Sequence, residues 1–140
     1  MKYIVIKNLE DLNKAMDIII NEKFLDFEIG LRFITPNNKV FCNIFVHRIH
    51  LDYTNQDQID HFDIVGPANI LDANQGIYSN INKKNINHYL YKIFDNIKSK
   101  MSDKEFYNTW MKCHDDETGF RLKNKKYKIK SKSINNRKRD

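Results

Sequence analysis

Five histidines, two cysteines and a C-terminal run of basic side chains are the parts of this sequence best suited to chemistry. His47 and His50, His61 with Asp60 and Asp63, His88, and His114 with Asp115 and Asp116 have the donor types of a metal or proton-transfer site, since imidazole binds zinc and titrates near neutral pH. Spacing limits what they can do together. Side chains alternate along a strand, so His47 and His50 face opposite ways and do not share an ion unless the strand breaks between them. Cys113-His114-Asp115-Asp116-Glu117 gathers a thiol, an imidazole and three carboxylates at the end of a predicted helix. Its simpler reading is a solvated acidic turn, because a nucleophile and its base need to meet at hydrogen-bond distance and sequence neighbours seldom do. We therefore assign no catalytic residue, metal site or cofactor from the sequence.

Two familiar chemistries are excluded by residue type. Glycine occurs only at positions 30, 66, 76 and 119, so no phosphate-cradling P-loop and no dinucleotide fingerprint can be written. No Asp or Glu precedes Lys by two positions, which removes the carboxylate-x-lysine core of restriction-type nucleases. Gly76-Ile77-Tyr78 is half of the paired tripeptide of another nuclease family, and its Tyr-Ile-Gly partner is missing.

The basic run is the strongest signal. Residues 120–140 hold Arg121, Lys123, Lys125, Lys126, Lys128, Lys130, Lys132, Arg137, Lys138 and Arg139 against Asp140 alone, a net +9. The preceding 119 residues hold 14 basic and 17 acidic groups, a net −3, so all of the excess positive charge lies in the last segment. Such asymmetry points to an arm that meets a polyanion or an acidic protein surface. If extended, Lys126, Lys128, Lys130 and Lys132 share one face, with Tyr127, Ile129 and Ser131 on the other. That row is able to lie along phosphates; it also matches the Lys-studded edge strand that blocks edge-to-edge aggregation. Lys125-Lys126 and Arg137-Lys138-Arg139 have the spacing of a bipartite nuclear-import signal, relevant in a eukaryotic host.

The elements that must carry these residues follow from periodicity. Tyr3 to Ile6 reads as a strand, and Asn8 with Asp11 starts a helix whose apolar stripe is Leu9, Leu12, Met16, Ile19 and Ile20, ending near Phe24. Phe27, Ile29, Leu31 and Phe33 alternate with polar residues as a half-buried strand. Thr35-Pro36-Asn37-Asn38-Lys39 is a turn by residue type. Val40 to Leu51 is apolar on both parities and is predicted to be a central strand covered on both faces. A third strand spans Ile59 to Val65, and Gly66-Pro67 opens a short helix over Ala68 to Leu71. Residues 52–80 are otherwise left without a regular element. Helical period returns from about Asn82 through Ile86, Leu90, Ile93 and Ile97, and Ser102-Asp103-Lys104-Glu105 has the spacing of a capping box that starts another helix.

The fold class expected is α+β, an antiparallel sheet of three to five strands packed by two to four helices in the order β-α-β-β-β-α-α-(β), the final strand optional and formed by the basic C-terminal extended segment. Residues 1–119 form one domain and 120–140 an arm, its final eight or so residues frayed. With 41% hydrophobic and 12% aromatic residues the chain has the makings of a packed core. Cys42 and Cys113 are too few for a disulfide framework and are read as reduced thiols. No stretch approaches the ~18 apolar residues of a membrane span, and the first residues are too short an apolar run for a signal peptide, which predicts a cytoplasmic chain. Abundant Ile, Asn and Lys suggest a low-GC genome, such as that of a phage or large virus.

Ile4-Val5-Ile6-Lys7-Asn8-Leu9 resembles the first-strand motif of RNA-recognition domains, and Lys39-Val40-Phe41 their third-strand motif. Val5 stands where their stacking aromatic belongs and no glycine surrounds Phe41, so the resemblance does not bring that family's base-stacking platform with it. The α-β-β-β-α order of residues 9–100 is similar to that of double-stranded-RNA-binding domains, with Lys83-Lys84 opening the last helix, but without their proline, glycine and alanine signatures. The functional expectation is a non-enzymatic binding protein that contacts nucleic acid through the ten basic residues named above. Its rivals are a viral or phage-type inhibitor or adaptor that binds protein through aromatics such as Tyr53, Tyr78 and Tyr107, and a small hydrolase or nuclease using His and Asp residues.

Overall fold

The structure, a computed structural model, describes residues 3–23, 26–49 and 61–112. The chain divides into two bodies, Met1–Met101 and Ser102–Asp140. The first contains strand β1 (Tyr3–Ile6), helix α1 (Leu9–Asn21), strands β2 (Phe27–Ile34), β3 (Val40–Ile49) and β4 (His61–Val65), helix α2 (Ala68–Leu71), a 3-10 turn (Asn74–Gly76), strand β5 (Ile77–Ile81) and helix α3, which runs Ile86–Ser102. The five strands form one sheet in sequence order.

Local chemistry accounts for each start. The Asn8 side chain accepts from the Asp11 amide at 2.9 Å, and the Asp11 carboxylate accepts from the Lys7 amide at 2.8 Å, so two donors at the entrance of α1 are satisfied reciprocally. Glu10 and Asp11 in the first turn suit the positive end of the helix dipole. Leu12, Ala15, Met16 and Ile19 are buried at the helical repeat, whereas Leu9, expected on the same stripe, is 47% exposed. Leu9 is the first helical residue and lies beyond the edge of the packed surface. Between β2 and β3, Thr35 and Lys39 close the turn with a 2.8 Å backbone bond, and Asn38 takes the left-handed conformation at φ 65°, which Asn tolerates better than most residues. Asn82 caps α3 by accepting from the Asn85 amide at 3.0 Å.

The sheet is mixed, which corrects the antiparallel expectation. β1 pairs parallel with β2, Tyr3 opposite Gly30 and Ile6 opposite Phe33, while β2–β3, β3–β4 and β4–β5 are antiparallel. The cause is α1: a helix carries the chain back along the sheet, so the strand after it runs in the direction of the strand before it. The fifth strand, β5, begins within residues 52–80, where the residue pattern predicts no strand after Val65. It pairs Phe62 with Ile81 but Ile64 with Tyr78, a register shift that coincides with Asn80 at φ 58°. The bulge puts Tyr78 and Ile81 on one face at a spacing of three, so the alternation that marks a strand is missing from the sequence.

Helices of the first body lie against one face of this sheet. Phe33 on β2 meets Phe94 on α3 with ring centroids 6.4 Å apart, Tyr91 on α3 donates to Asn13 on α1 at 2.7 Å, and the Asn96 amide donates to the Ile70 carbonyl at the end of α2. Between them are Leu31, Phe33, Ile44, Val46, Phe62 and Ile64, all at most 2% exposed. Each such side chain contributes roughly 1.5–3 kcal/mol relative to exposure. Arg48, 6% exposed, is held on this side by donating to the Glu22 carbonyl at 2.7 Å just past the end of α1. Cys42 is buried here as a free thiol, and burial pushes it well above its ordinary titration range.

In the second body, residues 104–112 form a helix, α4. Its cap is Asp103, whose carboxylate accepts from the Phe106 amide at 3.1 Å, one position later than the Ser102 expected from the sequence. Phe106 and Trp110 stack one turn apart at 5.7 Å.

Candidate functional site

The described helices of the first body lie on one sheet face; along β3 the parity of the second face is partly buried, with its Phe41 fully enclosed. Cys42, Ile44, Val46 and Arg48 are buried, whereas Asn43, Phe45 and His47 are half-exposed. The physical reason is connectivity. α1, α2 and α3 all return along the same face, and the hairpin turn from β2 to β3 adds no helix to the other.

Register places the residues of this second face in rows. One row crosses the whole sheet as Tyr3, Gly30, Phe45, Val65 and Ile77. Because Gly30 has no side chain, the Tyr3 and Phe45 rings meet above it, edge to face with centroids 6.1 Å apart. On the side toward the β2–β3 turn lies Val5, Arg32 and Asn43. The Arg32 guanidinium sits 3.9 Å from the Tyr3 ring centroid, and its Nε donates to the Asn43 Oδ1 at 3.0 Å. The ring holds the cation flat and the amide fixes its orientation.

On the opposite side of the aromatic row lies Glu28, His47 and Asp63, with His61 two residues before Asp63 on the same face of β4. Burial raises the Asp63 carboxyl above its ordinary value, an effect opposed by the Asn80 amide donating to it at 3.1 Å and by the charges of His47 and His61. The Nδ1 of His61 is enclosed and has no hydrogen-bond partner among the described residues. A carboxyl between two imidazoles is able to hold or pass a proton. Among the described residues no three His, Cys, Asp or Glu side chains stand close enough to share a metal ion.

Other sequence candidates are dispersed. His88 is exposed on α3 with its ring edge-on to Tyr89 at 5.8 Å. His50, Asp60 and the whole 113–117 cluster lie outside the described residues, as do the ten basic residues from Arg121 to Arg139 and Tyr53. Tyr78, expected as an exposed contact aromatic, is half-buried, donates its hydroxyl to the Leu71 carbonyl and packs 5.1 Å from Tyr89. Burial, then the charges of Asp72 and Tyr89, push its phenol up. Within Gly76-Ile77-Tyr78, Gly76 thus ends the 3-10 turn and Ile77 and Tyr78 open β5.

Sequence reasoning missed Tyr3, Arg32, Asn43 and Phe45 as a group. The available signal was the second parity of β3, where Phe45 and His47 interrupt an otherwise buried pattern. The first body is thus an α+β unit in which a mixed five-stranded sheet carries its described helices on one face. The chain matches no family model, no curated protein and no solved structure. Among the described residues, no helix is long and apolar enough to cross a membrane.

Proposed function

We propose that this chain is a non-enzymatic nucleic-acid-binding protein that contacts phosphates through its basic C-terminal segment. The observation that carries the reading is the charge layout: residues 120–140 hold +9 while the rest of the chain holds −3. A cationic segment of that density attracts a polyanion by releasing condensed counterions, and the net negative body has no such pull of its own. The segment also fits an address signal, with a cytoplasmic or, in a eukaryotic host, nuclear setting, and a phage or viral accessory protein is the source we favour.

Fluorescence anisotropy with a labelled oligonucleotide at two salt concentrations tests this. With six to ten phosphate contacts, affinity falls by roughly 10³–10⁵ between 50 and 200 mM salt. Deleting residues 120–140 should remove both the affinity and its salt dependence; an undiminished affinity after deletion rules the proposal out. In the adaptor reading, a pull-down from nuclease-treated lysate keeps a protein partner. A further reading, a small hydrolase, draws on His47 opposite Asp63 across β3–β4 and on His61 two residues before Asp63 on the same face. It requires a turnover that is lost in both H47A and D63N.

A further inference from the structure

The second sheet face has a feature that the basic segment does not explain. Arg32 is half-buried and carries a full charge, yet its contacts among the described residues are a neutral ring and a neutral amide. A guanidinium withdrawn from water is ordinarily matched to a carboxylate. Here the carboxylate of its own strand on the same face, Glu28, is four residues away, a separation of about 13 Å along a strand. The Nε is spent on Asn43, which leaves the two terminal NH2 groups of Arg32 without an acceptor among the described residues. The NH2 of Asn43 is likewise without one, since its carbonyl oxygen faces Arg32.

We propose that Tyr3, Arg32, Asn43 and Phe45 form a stacking site for an unpaired nucleobase, so that the ligand of this chain is single-stranded nucleic acid. The inference rests on the nucleic-acid reading above and narrows it to a strand type. The geometry supports it in three ways. Arg32 is backed by the Tyr3 ring, so the outer side of the guanidinium is a flat cationic surface of the kind on which bases stack. Phe45, in edge-to-face contact with Tyr3 above Gly30, adds a second ring that flanks this surface and steadies the Tyr3 ring. The unspent donors of Arg32 and Asn43 border that surface, where the ring nitrogens and carbonyls of a base or a phosphate oxygen accept. Val5, 45% exposed beside Arg32, extends the apolar surface toward a neighbouring base or sugar. A duplex keeps its bases stacked on each other and presents no free π-face, whereas a single strand presents one at every nucleotide.

Division of labour follows. The basic segment supplies strand-independent attraction to phosphates, and the sheet face supplies preference for unpaired bases. Tyr3 and Arg32 are neighbours across the parallel β1–β2 pair, so the site exists only when the N-terminal strand is docked.

The test uses the full-length chain, R32K and F45L. R32K keeps the charge and loses the planar fork, and F45L keeps apolar packing and loses the ring. Anisotropy is measured with a single strand and with a duplex of equal length, at two salt concentrations, and the single strand carries one 2-aminopurine whose emission reports stacking. The expected result is a loss of about tenfold in single-strand affinity for each variant, the ratio one stacking contact is worth. Duplex affinity and the salt slope should stay unchanged, as should melting temperature, and the 2-aminopurine response should vanish. Unchanged single-strand affinity in R32K and F45L, with salt dependence intact, overturns this inference alone. An equal loss for duplex and single strand also overturns it, since the face then acts by charge or fold. If the full chain binds neither strand type at low salt, the nucleic-acid reading itself fails and this inference with it. Competition by an acidic peptide in place of the oligonucleotide would assign the face to a protein partner.

Discussion

Replacing Gly76 by alanine should damage the fold more than replacing Gly66, and the structure gives the size. Gly76 has φ 68°, and a Cβ there would overlap the Gly66 carbonyl oxygen and stand 3.3 Å from the Ala68 nitrogen. Both neighbours are backbone and cannot rotate away. The left-handed conformation costs an L-residue about 1–2 kcal/mol. Displacing the Gly66 peptide also breaks the 2.9 Å bond from the Gly66 amide to the Gly76 carbonyl, a net loss of about 1 kcal/mol. With about 1–3 kcal/mol more for forced backbone shifts, G76A should lose about 3–6 kcal/mol. Set against a total stability of about 5–15 kcal/mol, that is a large share.

Gly66 is the internal control. A Cβ on Gly66 approaches the Ile44 Cδ1 at 2.5 Å and the Leu71 Cδ1 at 2.8 Å, the ends of side chains that can change rotamer. G66A should therefore cost about 1–3 kcal/mol, partly offset by the lower entropy of the unfolded alanine chain. Urea titration followed by circular dichroism gives both values, and thermal melts should show G76A lower by more than about 10 °C. A G76A midpoint within a few degrees of the parent, or a G66A loss larger than the G76A loss, refutes the account of this turn.

Asp63 should make stability fall with rising pH. Burial raises its folded carboxyl above the ordinary 3.8, so its contribution is complete below that value and is lost as pH climbs through the raised one. Urea midpoints should show D63N matching or exceeding the parent at pH 7, with the gap closing toward pH 4; a gap that widens on acidification contradicts this. N8A removes the cap of α1 and should cost about 1 kcal/mol by chemical denaturation, with no change if the Asp11 carboxylate alone satisfies the helix entrance. Iodoacetamide followed by peptide mapping should leave Cys42 unmodified in the native chain and label it fully in denaturant, because a buried neutral thiol is a poor nucleophile.

Much of the first body is legible in the sequence where one physical signal dominates. Ile86, Leu90, Ile93 and Ile97 announce α3 because nothing competes with the helical repeat, and all four are buried. Thr35 to Lys39 announces its turn through proline and asparagine. The parallel β1–β2 pair is harder to see, because strand direction is a property of the connection and leaves no mark on the strand residues. β5 is hidden by the Asn80 bulge. The sheet-face site is hidden more thoroughly: Tyr3, Arg32 and Phe45 belong to three strands, and each alone is an ordinary alternation residue. They become a group only through register, a long-range property. The basic segment is the reverse case, plain in composition and independent of any fold.

The parallel pairing of β1 also bears on how the chain assembles. Residues that meet across β2 and β3 are close in sequence near their turn, Ile34 with Val40, whereas Tyr3 meets Gly30 at more than four times that separation. Closing the longer loop costs about 1 kcal/mol more entropy before any contact is gained, and α1 must be formed to bridge it. The antiparallel strands should therefore zip first and the N-terminal strand dock last. Pulsed hydrogen exchange during refolding should find the amides of β3 and β4 protected ahead of those of β1, and simultaneous protection would show that the sheet condenses in one step.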